Sequence, residues 1–528
     1  MQTENLDMKR DKISFVVLLA AVGLASCGGG ETSDASGVPK CVPGSSQGCV
    51  CSSGRSGAQT CQSDGVFGPC ECVNGASGAG GTADDGGAAS GGSKPDAGAG
   101  GDADAGTEPL QPAWSRAFGP GVSVIALDSD TMGNVMIMGR LEQSVDFGNG
   151  PIGPTGSGND ALFVASFDAT GHRRFAYSLT ASRLYWDDAA YTAHMDEAGN
   201  VVVTGVAFRK VGDSSVSYPC GSQSSTGEWV SFAARLDNTG ECVWVKTKLG
   251  DARFAATVDD DGSTYLTGVD SAASFTSKLD ANGDELWRAE GTGGDSIEVD
   301  ANGNVFFARS DGIYYPDLCV VSLDGSGAER WNQCYGQLWK GDSYARFRGL
   351  SVNAAGAFAL AGQYGDSLSF GGPALSAGGE SAMFLAALDV DNQHMFSKSI
   401  PEITSDSGGN NPAPVIPAIS ADGKVALAGG FWRSIDFGAG QQQAIGTGDD
   451  DTDAFVAVYG STGELVAHAQ YGGDSSDWVR SAHYDATGAL LIAGPFSSAI
   501  DFGEGPLEAT GSDGDPRTAW LFVARLLP

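Results

Sequence analysis

Basic residues are scarce in this chain. Against 65 Asp and Glu stand 30 Lys and Arg, so the 528 residues carry a formal net charge of −35. Phosphates would be repelled at long range, which disfavours nucleic acid and anionic lipid as partners. Long apolar runs are lacking too. The stretch Ile13 to Ala25 falls short of the roughly 20 residues of a spanning helix. There are only five histidines, and they form neither an HExxH pair nor any other closely spaced metal pair, which argues against a histidine-based zinc site. Sustained helical periodicity is missing as well, while glycine is abundant at 79 residues. A chain this long with that balance points to a repetitive, all-β architecture.

The N-terminus has the layout of an export signal. Met8-Lys9-Arg10-Asp11-Lys12 is a basic segment and Ile13 to Ala25 an apolar one. It ends in Leu24-Ala25-Ser26-Cys27, which resembles the bacterial lipobox. The resemblance implies that residues 1–26 are a lipoprotein signal peptide and that Cys27 becomes a lipidated N-terminus, attaching the protein to a membrane through its acyl chains. Gly28 follows Cys27 where an Asp would favour inner-membrane retention, so the expected address is the outer membrane or cell surface, outside the cytoplasm.

Without Cys27, ten of the eleven cysteines remain, an even number suited to an oxidising compartment. After a tether over 27–40, six of them (Cys41, Cys49, Cys51, Cys61, Cys70 and Cys72) crowd into 41–72 among Gly and Ser. With too few apolar residues for a core, this knob is expected to be held by disulfides. Residues 73–110 have no aromatic residue and read as a flexible Gly/Ala/Asp linker.

From residue 111 onward the chain repeats. Seven segments share a turn and an apolar run: DTMGNVMIMG at Asp130, DEAGNVVVTG at Asp196, DDDGSTYLTG at Asp259, DANGNVFFAR at Asp300, NAAGAFALAG at Asn353, SADGKVALAG at Ser420 and DATGALLIAG at Asp485. Their glycines at the fourth position are 66, 63, 41, 53, 67 and 65 residues apart. Asp, Asn or Ser first and Gly fourth is the chemistry of a type I turn with a left-handed glycine. The following run is too continuously apolar to be half exposed, which predicts a strand covered on both faces. A second strand–turn–strand unit recurs downstream, as in LDANGDELW ending at Trp287, giving four strands per repeat.

The seventh repeat stops at LFVARLLP after its third strand, while a strand of the fourth type, PAWSRAFG from Pro112, stands alone before the first repeat. Joining the two predicts a seven-bladed β-propeller of four-stranded blades over 111–528, its last blade closed by the N-terminal strand. The short third and fourth repeats leave six or eight blades as alternatives. The elements GNVxVTG, DAFVA at Asp453 and LDxNGxxLW at Leu279 resemble the repeats of bacterial SBBP seven-bladed propellers, and the resemblance implies the fold while naming no reaction. LDxxGxxxW is also similar to an element of quinoprotein-dehydrogenase propellers.

Candidate chemistry is thin. SVDFGNG, SIDFGAG and AIDFGEG place Asp146, Asp436 and Asp501 in acidic turns, a weak possibility for calcium. One Asp beside Gly supplies few of the six to eight oxygens calcium takes, which favours strand-end turns with Phe147, Phe437 and Phe502 packed between blades. No other cofactor and no catalytic residue is indicated. His172, His194, His394, His468 and His483 are scattered and read as satisfied or surface groups. Cys319 and Cys334 flank one hairpin about two positions from direct opposition, and Cys220 and Cys242 would tie an insertion loop to a fourth strand; both pairs are candidate disulfides. The expected role is non-enzymatic binding of a protein or glycan, with the loop from Val206 to Glu228 as the binding element. A hydrolase or lyase using carboxylates converging on the axis, and a scaffold for outer-membrane assembly, are the alternatives.

Overall fold

In the computed structural model, Asp130 closes its own turn. Its Oδ1 accepts the N–H groups of Met132 (2.9 Å) and Asn134 (2.8 Å), and Gly133 donates its N–H to the Asp130 carbonyl with φ at +77°. The Asn after the glycine belongs to the same device: Asn200 and Asn304 donate Nδ2 to the second carboxylate oxygens of Asp196 (2.8 Å) and Asp300 (2.7 Å). These turns reverse the chain between the first and second strands of every repeat. Where Asn353 replaces the acid, its Oδ1 still caps Ala355 and Ala357, while its Nδ2 reaches the Ser420 carbonyl (2.9 Å) of the next repeat.

The chain divides into two compact units, residues 1–93 and 94–528. Of the first, the structure describes 46–50, 56–60 and 71–72; of the second, 110–527 apart from 155–160, 181–182, 185–190, 209–215, 219–220, 224–228, 250–253, 271–272, 295, 312–316, 338–346, 366, 378–381, 402–414, 446–450 and 511–518. The signal, Cys27, the tether and nearly all of the linker thus lie outside the described residues. The described strands of the first unit, Ser46–Val50, Ser56–Thr60 and Glu71–Cys72, form one antiparallel sheet.

The second unit is a seven-bladed β-propeller of antiparallel blades, so the short third and fourth repeats are ordinary blades with shorter connections. From the axis outward, blade 1 runs Val122–Ser129, Val135–Leu141, Ala161–Phe167 and Arg173–Thr180. The inner strands of blades 2 to 7 are Thr192–Met195, Phe254–Val258, Ser296–Val299, Phe347–Val352, Val415–Ile419 and Ser481–Tyr484. Each packs on the next, and the seventh packs on the first. Blade 7 is completed from the far end of the chain: Gln111–Phe118 pairs with Trp520–Leu527, Phe118 opposite Leu521.

Blades adhere through their second and third strands, buried on both faces as in Phe358–Tyr364 and Ala382–Leu388. The recurrent aromatic of the outer strand has a defined seat. Trp244 of blade 2 lies against Gly283, the second-turn glycine of blade 3, where an added Cβ would come within 3.0 Å of the indole. Trp287 does the same with Gly327 of blade 4, and donates Nε1 to the Gly325 carbonyl (2.9 Å). The LDxxGxxxW pattern therefore encodes blade-to-blade docking: Gly240 and Gly463 likewise receive Phe175 and Phe396 of the preceding blade, while Gly171 of blade 1 meets Arg116 of blade 7 instead.

Cys319 and Cys334 are directly opposed and disulfide-bonded, not two positions out of register. The hairpin holds more chain than a two-residue turn: Asp324 N–H bonds Ala328, and a bulge follows between Ser322 and Leu323. Together these bring the two cysteines into register. Cys242 is also disulfide-bonded; Cys220 lies outside the described residues.

Candidate functional site

The axis is lined by a register rather than by a motif. Two residues before each recurrent turn, the inner strands place Asp128, His194, Thr257, Glu298, Ser351, Ala418 and His483, each opposite the corresponding residue of its blade's second strand. Seven blades bring this one position to one level around the channel. Four of the seven are titratable.

Asp128 is the hub on one side. Ser129 N–H donates to its Oδ1 (2.8 Å), and Met195 N–H, from blade 2, donates to its Oδ2 (2.9 Å). Imidazoles from the two flanking blades complete its surroundings: His194 Nδ1 lies 3.4 Å from Oδ2 and His483 Nε2 3.2 Å from Oδ1. Ser351 repeats the blade-bridging bond, accepting Ile419 N–H (3.2 Å). The Asp128 side chain is 11% exposed, those of His194 and His483 23% and 35%, so the histidines face the channel over a carboxylate that is mostly covered.

The charges are mutually tuned. Burial pushes the Asp128 carboxyl up, but His483, then His194 and the Met195 N–H, hold it below the ordinary carboxylate range. Burial would lower His194; Glu298 of blade 4 and then Asp128 outweigh that and raise it to about 9. Glu298 is pushed up to about 7 by burial, with His194 opposing and Asp128 reinforcing. At neutral pH the ring therefore presents an imidazolium donor, a carboxylate acceptor and a carboxyl near its midpoint that serves as either.

His194 and His483 are thus inner-strand residues that converge, unlike the other three histidines. His172 bonds Thr170 at an exposed turn, His394 bonds Ser397, and His468 packs near Phe437. Counting all five together hid the pair; counting back from each turn would have found it.

Other candidate positions are structural. The Asp146, Asp436 and Asp501 carboxylates each cap two glycine N–H groups, Gly148 and Gly150 in the first case, at 2.7 and 3.0 Å. Phe147, Phe437 and Phe502 are buried; Phe147 stacks on Phe163 of blade 1 and touches Phe118 of blade 7, and Phe502 joins Tyr471 of blade 6 to Phe522 of blade 7. Of the loop from Val206 to Glu228, the structure describes only residues 206–208 and the paired strands Val216–Tyr218 and Gly221–Gln223. A cavity of about 200 Å³ between blades 2 and 3 is floored by Phe254, Leu266 and Phe275 and rimmed by Lys246, Glu285 and Arg288. Arg288 there lies over the Phe275 ring and pairs with Glu290, which leaves a lateral cleft without a reactive grouping.

No known family profile and no curated protein matches the chain. Solved structures match it in fold. The Dos1 propeller is 9% identical with a TM-score of 0.40, over 79% of this chain and 95% of that one. The β-propeller domain of the Trilobed protease from Pyrococcus furiosus is 9% identical with a TM-score of 0.38, over 74% and 99%. A protein of unknown function from Dyadobacter fermentans is 10% identical with a TM-score of 0.38, over 79% and 98%. These likenesses concern the propeller and carry no activity to this chain.

Proposed function

We propose that this protein is a lipid-anchored, extracytoplasmic propeller that binds a protein or glycan ligand through its axial ring. The observation that carries the proposal is the convergence of Asp128, His194, Glu298 and His483 from blades 1, 2, 4 and 7 at one level of the channel. Mixed donors and acceptors on a rigid ring suit hydroxyl-rich or polar ligands, and the surplus of negative charge disfavours phosphorylated ones. Support for the anchor is the lipobox resemblance at Leu24 to Cys27; the likeness to SBBP repeats supports the propeller and adds no reaction.

The test is a glycan array probed with the full chain and with His194→Gln and Glu298→Gln. At least tenfold weaker binding by these variants is expected at a pH and temperature where both remain folded; equal binding by both would refute the axial site. For the anchor, incorporation of labelled palmitate is expected in the wild type and lost in Cys27→Ser, which should also be released from the membrane. Protease treatment of whole cells then reports on which side the propeller lies.

A second reading, a hydrolase or lyase, is favoured by one specific feature: Glu298 titrates near neutrality beside an imidazolium, as an acid–base group would. Product formation that Glu298→Gln abolishes while ligand binding persists would establish it.

A further inference from the structure

A second group of carboxylates lies away from the axis, where blade 6 meets blade 7. Asp453 stands near the start of the third strand of blade 6, Thr452–Tyr459. Asp477 is in the connection to blade 7, held by its N–H to the Thr452 carbonyl (2.6 Å). Both residues are 0% exposed. Each carboxylate has one committed oxygen: Asp453 Oδ2 accepts from Ile445 N–H (2.6 Å) and Gln470 Nε2 (2.7 Å), and Asp477 Oδ1 accepts from Ser497 N–H (3.1 Å). Each also has one oxygen with no partner, Asp453 Oδ1 and Asp477 Oδ2.

Gly472 and Gly473 connect the two. Gly472 lies so close to Asp453 Oδ1 that an added Cβ would collide with it, while Gly473 N–H is directed at the Asp477 carboxylate. Burial first, and then Asp453 and Asp451, push Asp477 up to about 8, while burial and Asp451 raise Asp453. No basic side chain contributes to either shift. Two enclosed carboxylates that each keep an oxygen without a hydrogen-bond partner among the described residues are a costly arrangement unless something positive is shared between them.

We propose that Asp453 and Asp477 form a buried cation site at the blade 6–blade 7 junction and that the cation is calcium. All available donors are oxygens, which excludes the softer metals that prefer imidazole or thiolate. Magnesium sheds its water reluctantly, which disfavours it in so enclosed a place. The two carboxylates fill part of calcium's coordination, and backbone carbonyls and water complete it.

The experiment is calorimetric titration of the full, chelator-treated chain with calcium chloride. Expected is one saturable site, a calcium-dependent rise in Tm, and at least tenfold loss of affinity in Asp453→Asn and Asp477→Asn. Unchanged affinity in Asp453→Asn would overturn the site. So would the absence of any calcium response combined with a protonated-carboxyl infrared band that Asp477→Asn removes, since the pair would then share a proton. Should Asp477→Asn fail to fold, terbium luminescence of the wild type takes its place: emission that calcium competes away and that Trp478→Phe diminishes supports the site, and emission indifferent to both overturns it.

Discussion

Asp196 and Asp146 both cap turns, yet their removal should differ greatly in cost. Asp196 is 3% exposed; besides its turn bonds to Ala198 and Asn200, its Oδ2 holds the guanidinium of Arg235 at 2.5 Å, and Arg235 in turn bonds the Gly262 carbonyl of blade 3. Asp196→Ala strands a buried cation, and a loss of about 3–5 kcal/mol is expected by urea denaturation. Asp146 is exposed and bonds only its own turn, so Asp146→Ala should cost about 1 kcal/mol. The turn chemistry was legible in the sequence, because a short acidic side chain two and four residues before an amide has one economical use. Arg235 was not legible as a partner, because that contact comes from a neighbouring strand and joins two blades. Phe147, Phe437 and Phe502 were legible for the opposite reason: an aromatic just before a glycine turn at a strand end has to be buried between elements.

At the scale of the element, the hairpin carrying Cys319 and Cys334 shows what a bulge does to an inference from spacing. A turn centre counted from sequence misplaces the partner wherever an extra residue enters the ladder, and the bulge between Ser322 and Leu323 leaves no mark in composition. The bond closes a loop of sequence separation 15, which in the chain-entropy account is worth about 3 kcal/mol. Cys319→Ala/Cys334→Ala should therefore lower the denaturation midpoint; an unchanged midpoint would contradict that account.

The axial ring belongs to the whole molecule, since residues 128, 194, 298 and 483 come from four blades and His483 of the last blade reaches Asp128 of the first only when the circle closes. That is why it escaped a reading by local motif, although the position two before each turn was visible throughout. Its titration has a definite sign. His194 is raised from 6.5 to about 9, so its contribution is present below pH 6.5 and lost as pH rises to about 9; Glu298, raised from 4.5 to about 7, likewise favours the fold at low pH and ceases to as it ionises. In chelator, stability should fall between about pH 5 and 9, and His194→Gln should flatten the upper part of that fall; a flat wild-type profile would contradict the coupling. Removing Gln111–Phe118 should unseat Leu521 and Phe522 and raise binding of a hydrophobic dye, and a peptide of that sequence added in trans should reverse it.

The seam in blade 7 also bears on how chains treat one another. Gln111–Phe118 is synthesised about 400 residues ahead of its partner Trp520–Leu527, and loop closure over that length is slow. In the interval each chain offers a free strand and, later, an empty slot of matching register, the two halves of a domain swap. Self-closure is independent of concentration while exchange is not. Dilute refolding should yield monomers, and crowded refolding dimers that have traded first strands.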